Sequence, residues 1–151
     1  MRRALWGVVA MLVVAPAASA HVGDPLQLTF EWPAQGTVTT PFGWTEGRYH
    51  PGLDIGILRS LTVRAAAPGR VSLVGTPTGF AGYGSLVLVD VLGSYQTLYA
   101  HLASVGVRPG DWVTAGEPLG VAGCTGWCTG THLHFEVRAR GRAVDPLPLL
   151  P

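Results

Sequence analysis

The chain has 151 residues, with ten Arg, no Lys, nine acidic side chains and a formal net charge of +1. That near balance offers no bulk-charge basis for binding nucleic acid or anionic lipid. The lack of Lys rules out covalent biotin or lipoate carriage and Schiff-base chemistry.

Residues 1–20 have the layout of a secretory signal peptide: basic Met1-Arg2-Arg3, the apolar run from Ala4 to Ala15, and the small residues Ala18-Ser19-Ala20. The run is shorter than the ~20 residues a helix needs to cross a bilayer. A cleaved leader is therefore expected, with no membrane contact afterwards and a secreted, periplasmic or cell-envelope location. Its removal leaves 131 residues, enough for one domain with a core, and eight Arg against nine acids. Cleavage after Ala20 would expose the α-amine of His21, a possible copper chelator, although such an end is ordinarily an accident of processing. Residues 21–35 read as a lead-in and 36–151 as the domain proper.

Twenty-one Gly and twelve Pro punctuate the chain, and no stretch after the leader keeps a helical period. Short strands joined by turns are expected. In His50-Pro51-Gly52-Leu53-Asp54 the Pro-Gly bend lets an imidazole and a carboxylate converge on one point. Val71 to Val74 and Ser85 to Val91 are rich in β-branched and aliphatic residues, and Leu92-Gly93-Ser94 reads as a hairpin turn. The next strand, Tyr95 to Leu102, alternates, and by that alternation His101 shares a face with Thr97 and Tyr99. Val107 to Val113 and Gly116 to Gly120 look like tight corners.

Cys124 and Cys128 are the two cysteines, and in an exported chain a disulfide is the expected state. It would stiffen the approach to His132 and His134. The rival, a closed structural zinc site of Cys124, Cys128, His132 and His134, needs two free thiols and leaves His50, Asp54 and His101 idle. The last strand, His132 to Arg138, alternates strictly. Leu133, Phe135 and Val137 take one face, and His132, His134 and Glu136 the other. One of these His can bind metal while the other stands beside it. Glu136 reads as a solvent-facing strand residue, with a supporting role behind a metal ligand as the alternative. Catalytic zinc takes three protein ligands and keeps one position open. Three ligands with two imidazoles to spare is the complement of a hydrolase.

Thr40-Pro41-Phe42-Gly43-Trp44, His50 to Gly56, Tyr99-Ala100-His101-Leu102 and Gly130 to Glu136, taken in order and spacing, resemble the M23 metallopeptidases of lysostaphin or LytM type. The resemblance runs over roughly residues 36 to 148. It implies that His50, Asp54 and His134 bind one zinc ion, and that His101 and His132 act on the reacting groups. It also implies hydrolysis of peptide bonds in bacterial peptidoglycan. Relatives that activate other wall hydrolases without cutting characteristically lack some of these five residues, whereas all five are present here. A catalytically silent wall-binding or amidase-activating module of the same fold is the alternative. The cysteines depart from the family pattern, in the loop leading to the last His pair. The expected fold is all-β, a mostly antiparallel sheet flooring a groove in a sandwich and barrel-like hybrid. Loops 44–50, 76–84 and 123–131 are its expected walls.

Overall fold

The computed structural model describes residues 30–45 and 47–151. The expected leader, His21 and most of the lead-in lie outside them. In chain order the strands are β1 Thr37–Thr40, β2 Gly43–Thr45, β3 Arg48–His50, β4 Leu53–Gly56, β5 Thr62–Arg64, β6 Gly69–Gly75 and β7 Leu86–Val91. They continue with β8 Tyr95–Ala100, β9 Leu102–Val105, β10 Trp112–Val113, β11 Pro118–Ala122, β12 Leu133–Ala139 and β13 Arg142–Val144, and a 3-10 turn, Leu147–Leu149, follows. No α-helix occurs among the described residues.

Eight strands form one antiparallel sheet in the order β1-β4-β12-β8-β7-β6-β10, with β13 pairing β12. A second sheet runs β5-β11-β9, and β2 and β3 form a separate hairpin. None of the three closes into a barrel. The turn at Leu92-Gly93-Ser94 joins β7 to β8, with positive φ at Gly93 and Ser94.

The main core lies between one face of the large sheet and the three-stranded sheet. Ile55, Val71, Val87, Val89, Tyr99, Phe135 and Val137 from the former meet Val63, Leu102, Leu119 and Ala122 from the latter. Full burial of each Val, Leu, Ile or Phe side chain among them is worth roughly 1.5–3 kcal/mol. Phe30 and Ala34, from the expected lead-in, belong to this core, and the Phe30 N–H donates to the Leu149 carbonyl. The Tyr99 hydroxyl accepts from the Ala66 N–H (2.7 Å) and donates to Thr97 Oγ1 (2.9 Å). Burial pushes that phenol up to about 12.

The other face of the large sheet is covered too. Leu86, Leu88, Leu98 and Ala100 pack beneath Leu73, Phe80 and Tyr83. The connection between β6 and β7, which carries Phe80 and Tyr83, folds back over the centre of the sheet. That double cover explains the apolar run Leu86–Val89 of β7. Two expectations are corrected. Glu136 is fully buried, not solvent-facing. His101 does not share the face of Thr97 and Tyr99, because its φ of 61° breaks the alternation between β8 and β9. Its ring lies 4.7 Å from that of His132 and 5.9 Å from that of His134, on the groove side.

Candidate metal centre

Two neighbouring strands supply the first pair of groups. In the β4–β12 ladder, Asp54 stands opposite His134, so both side chains leave the same face at the same level. His50 arrives from the β2–β3 hairpin. The chain between His50 and Asp54 must pass hard against β12: a Cβ on Gly52 would collide with the Phe135 carbonyl and come within 2.9 Å of Glu136 Cγ. Only glycine fits there, and this close passage brings the first imidazole onto the pair.

The three donor atoms form a nearly equilateral triangle. His50 Nε2 lies 3.1 Å from Asp54 Oδ1 and 3.0 Å from His134 Nδ1, and the latter two are 2.9 Å apart. Zinc bonds of ~2.0 Å at tetrahedral angles separate neighbouring donors by roughly 3.3 Å, so the spacing fits. The outer hydrogen bonds fit as well. His50 Nδ1 contacts the Pro41 carbonyl at 2.8 Å, and a carbonyl can only accept, so the proton is on Nδ1 and the Nε2 lone pair faces the triangle. His134 turns its Nε2 to Glu136 Oε1 at 3.0 Å, and its Nδ1 faces inward. Both imidazoles thus point a lone pair at a carboxylate oxygen, an arrangement that calls for a cation between them. The three residues could hold a metal ion.

Charge is concentrated here. Burial alone would raise the Asp54 pKa, but the close contacts with the His134 and His50 rings outweigh it and hold the carboxyl well below the carboxylate range. Burial would likewise raise Glu136, and the contacts with His134 and Arg138 reverse the direction. For His134 burial disfavours the charge, while Asp54 and Glu136 together raise its pKa above the ordinary value. Glu136 also accepts from the Tyr83 hydroxyl (2.5 Å) and, through Oε2, from Arg138 Nε (2.6 Å). Burial and the adjacent carboxylate push the Tyr83 phenol upward, so it stays a donor.

His101 and His132 lean over this triangle. His132 Nε2 is 3.7 Å from Asp54 Oδ1. Each ring donates Nδ1–H to a backbone carbonyl at 2.7 Å, His101 to Thr125 and His132 to Gly130, which leaves both Nε2 atoms to the cleft. Burial lowers the His101 pKa, so this ring is neutral at pH 7. The structure therefore brings together all five residues expected from sequence. Tyr83 and Thr125 were not foreseen, and no local pattern marks them. The position of Glu136 was signalled by its spacing of two from His134.

Around these groups lies an open cleft of about 730 Å³, with walls from the three expected segments. Arg48 and Tyr49 come from the β2–β3 hairpin, Ala81 to Tyr83 from the β6–β7 connection, and Trp127 to Thr129 from the loop before β12. Cys124 and Cys128 are joined as a disulfide with Cα atoms 5.5 Å apart. That removes the reading in which they ligate zinc.

The profile of peptidase family M23 matches residues 48–146, which contain His50, Asp54, His101, His132 and His134. The chain belongs to peptidase family M23. Among sequence relatives, this M23 chain is 37% identical over 123 residues to the murein hydrolase activator NlpD of Escherichia coli, covering 82% of its own length and 31% of that protein. Among solved structures, it resembles a zinc-containing peptidase from Vibrio cholerae with a TM-score of 0.66 and 29% identity, over 78% of this chain and 39% of that one. The catalytic domain of lysostaphin from Staphylococcus simulans matches with a TM-score of 0.61 and 29% identity, over 75% of this chain and 88% of that domain. The M23 chain spans under half the length of the curated relatives it matches.

Proposed function

We propose that this M23 chain is a zinc-dependent endopeptidase that hydrolyses peptide bonds in bacterial peptidoglycan. His50 Nε2, Asp54 Oδ1 and His134 Nδ1 would hold one zinc ion, and His101 and His132 would move protons at the reacting bond. The observation that carries this reading is the triangle of 2.9–3.1 Å between donors, with two further imidazoles aimed over its open side. A zinc ion at such a site supplies Lewis acidity and an activated nucleophile at neutral pH.

The chain's own residues do the rest. Glu136 and the Pro41 carbonyl fix the orientation of the two metal-facing imidazoles, the role that outer partners play at zinc sites. His101, neutral and held through Nδ1, accepts a proton at Nε2 from the attacking water. His132, held in the same way, presents its Nε2 to the other side of the reacting carbon. Once protonated, either ring donates from Nε2 to the tetrahedral oxygen or to the departing amine. An extended peptide would lie along the cleft between the β2–β3 hairpin and the loop before β12. A place in the cell envelope, after cleavage of the leader at 1–20, suits this substrate, and residues 36–151 would form the catalytic domain.

The similarity to a protein named as a hydrolase activator favours a second reading, in which the same cleft binds wall peptide and recruits or switches on another enzyme. The complete set of five polar groups speaks for catalysis. Digestion of purified muropeptides with zinc-loaded protein separates the two. New amine and acid ends at one defined bond are expected, and intact fragments after prolonged incubation would contradict the peptidase reading.

A further inference from the structure

The cleft has an aromatic rim that the proposed peptide chemistry leaves unused. Trp127 is 73% exposed and lines the cleft, yet its seat is rigid. Its backbone N–H donates to the Gly82 carbonyl at 2.8 Å. The indole lies on the Gly82 backbone, where a Cβ would come within 2.9 Å of indole Cε3. The loops at 82–84 and 125–127 interlock, because a side chain on Gly126 would strike the Gly82 carbonyl and one on Gly84 the Thr125 backbone. Thr125 Oγ1 ties the same loop to the Leu102 carbonyl at 2.9 Å and accepts from the Ser85 N–H at 2.9 Å, and the Cys124–Cys128 bridge closes it.

A large ring fastened from behind and left in water forgoes most of the burial such a side chain can contribute. Ile57 and Trp112 are equally exposed, but neither lines this cleft. Across the opening Tyr49 is half exposed and stands edge-on to Trp44 (6.0 Å) and Phe42 (5.7 Å). Among the described residues, Arg48 is the one Arg in the walls. A preset aromatic face beside a polar floor suits a neutral ligand with an apolar flat side and polar edges, which is the shape of a pyranose ring.

We infer that Trp127 is a sugar-stacking subsite, taking an N-acetylated amino-sugar ring of the glycan to which the wall peptide is joined. This rests on the wall-peptide reading above and extends it: the peptide crosses His101 and His132, and its sugar-bearing end reaches the rim at Trp127.

Two substrates with the same peptide, one carrying a disaccharide and one sugar-free, test it with oxidised, zinc-loaded wild type, Trp127→Ala and Trp127→Phe. Expected is a lower KM for the sugar-bearing substrate in wild type. Trp127→Ala should shrink that preference about tenfold, the weight of a 1.4 kcal/mol contact, and Trp127→Phe should restore part of it. A similar KM increase on both substrates would mean that the ring touches peptide instead, and would overturn the inference. So would an unaltered preference. Calorimetry with a soluble amino-sugar oligomer runs beside the kinetics and needs no turnover. If wild type cleaves neither substrate, the peptidase reading fails alone. Oligomer binding that Trp127→Ala abolishes would still support the subsite, and no binding to wild type would refute it.

Discussion

Replacing Glu136 by Gln keeps the shape of a fully buried side chain and removes its charge. The carboxylate accepts three hydrogen bonds, from His134 Nε2 and the Tyr83 hydroxyl on Oε1 and from Arg138 Nε on Oε2. Glutamine offers one acceptor oxygen, so its NH2 must face one of these donors, and it no longer strengthens the basicity of His134 Nδ1. Loss of such an outer partner typically weakens metal binding 10–100-fold, or roughly 1.4–2.8 kcal/mol. Removing one partner of a fully buried ion pair costs about 3–5 kcal/mol of stability. Here Arg138 is 20% exposed, so the lower end of that range is expected. Zinc competition against a chromophoric chelator reads the first effect, and urea unfolding of the metal-free protein reads the second. Zinc affinity equal to wild type would refute the idea that Glu136 positions His134.

Two further outcomes follow from particular contacts. Reducing the Cys124–Cys128 bridge with a small thiol should lower turnover while zinc stays bound, because the Thr125 and Gly130 carbonyls that orient His101 and His132 sit in and beside that loop. Equal activity of the reduced and oxidised protein would count against it, provided thiol titration confirms reduction. Tyr99 makes stability fall at alkaline pH. Its phenol is raised to about 12 in the folded state, so the unfolded chain loses its proton first. Stability is then intact below ~10 and declines as pH rises from there toward the folded value. Denaturant midpoints measured across that range should drop for wild type and less for Tyr99→Phe, and parallel curves would contradict the assignment.

Much of the site was readable before folding. The His50 to Asp54 spacing across Pro-Gly marked a bent backbone, and the strict alternation after His132 marked a strand with His134 on one side. These are local signals, and the β4–β12 register turned them into one centre. What stayed hidden depends on distant chain. Glu136 reads as exposed until the β6–β7 connection lays Phe80 and Tyr83 over the second face of the sheet. His101 changes sides through a single left-handed residue, which period-two reasoning has no means to register. The role of Thr125 is carried by its carbonyl and hydroxyl together, and a loop sequence does not announce which backbone oxygen will meet a His 24 positions away.

Digestion of one defined muropeptide by wild type and by His132→Ala, with bound zinc counted in both, bears most directly on the division between metal-holding and proton-moving residues. One zinc per chain in each protein, with turnover lost in the variant, is the predicted result. A variant that loses its zinc would place His132 among the ligands, and one that cuts as fast as wild type would remove it from the chemistry.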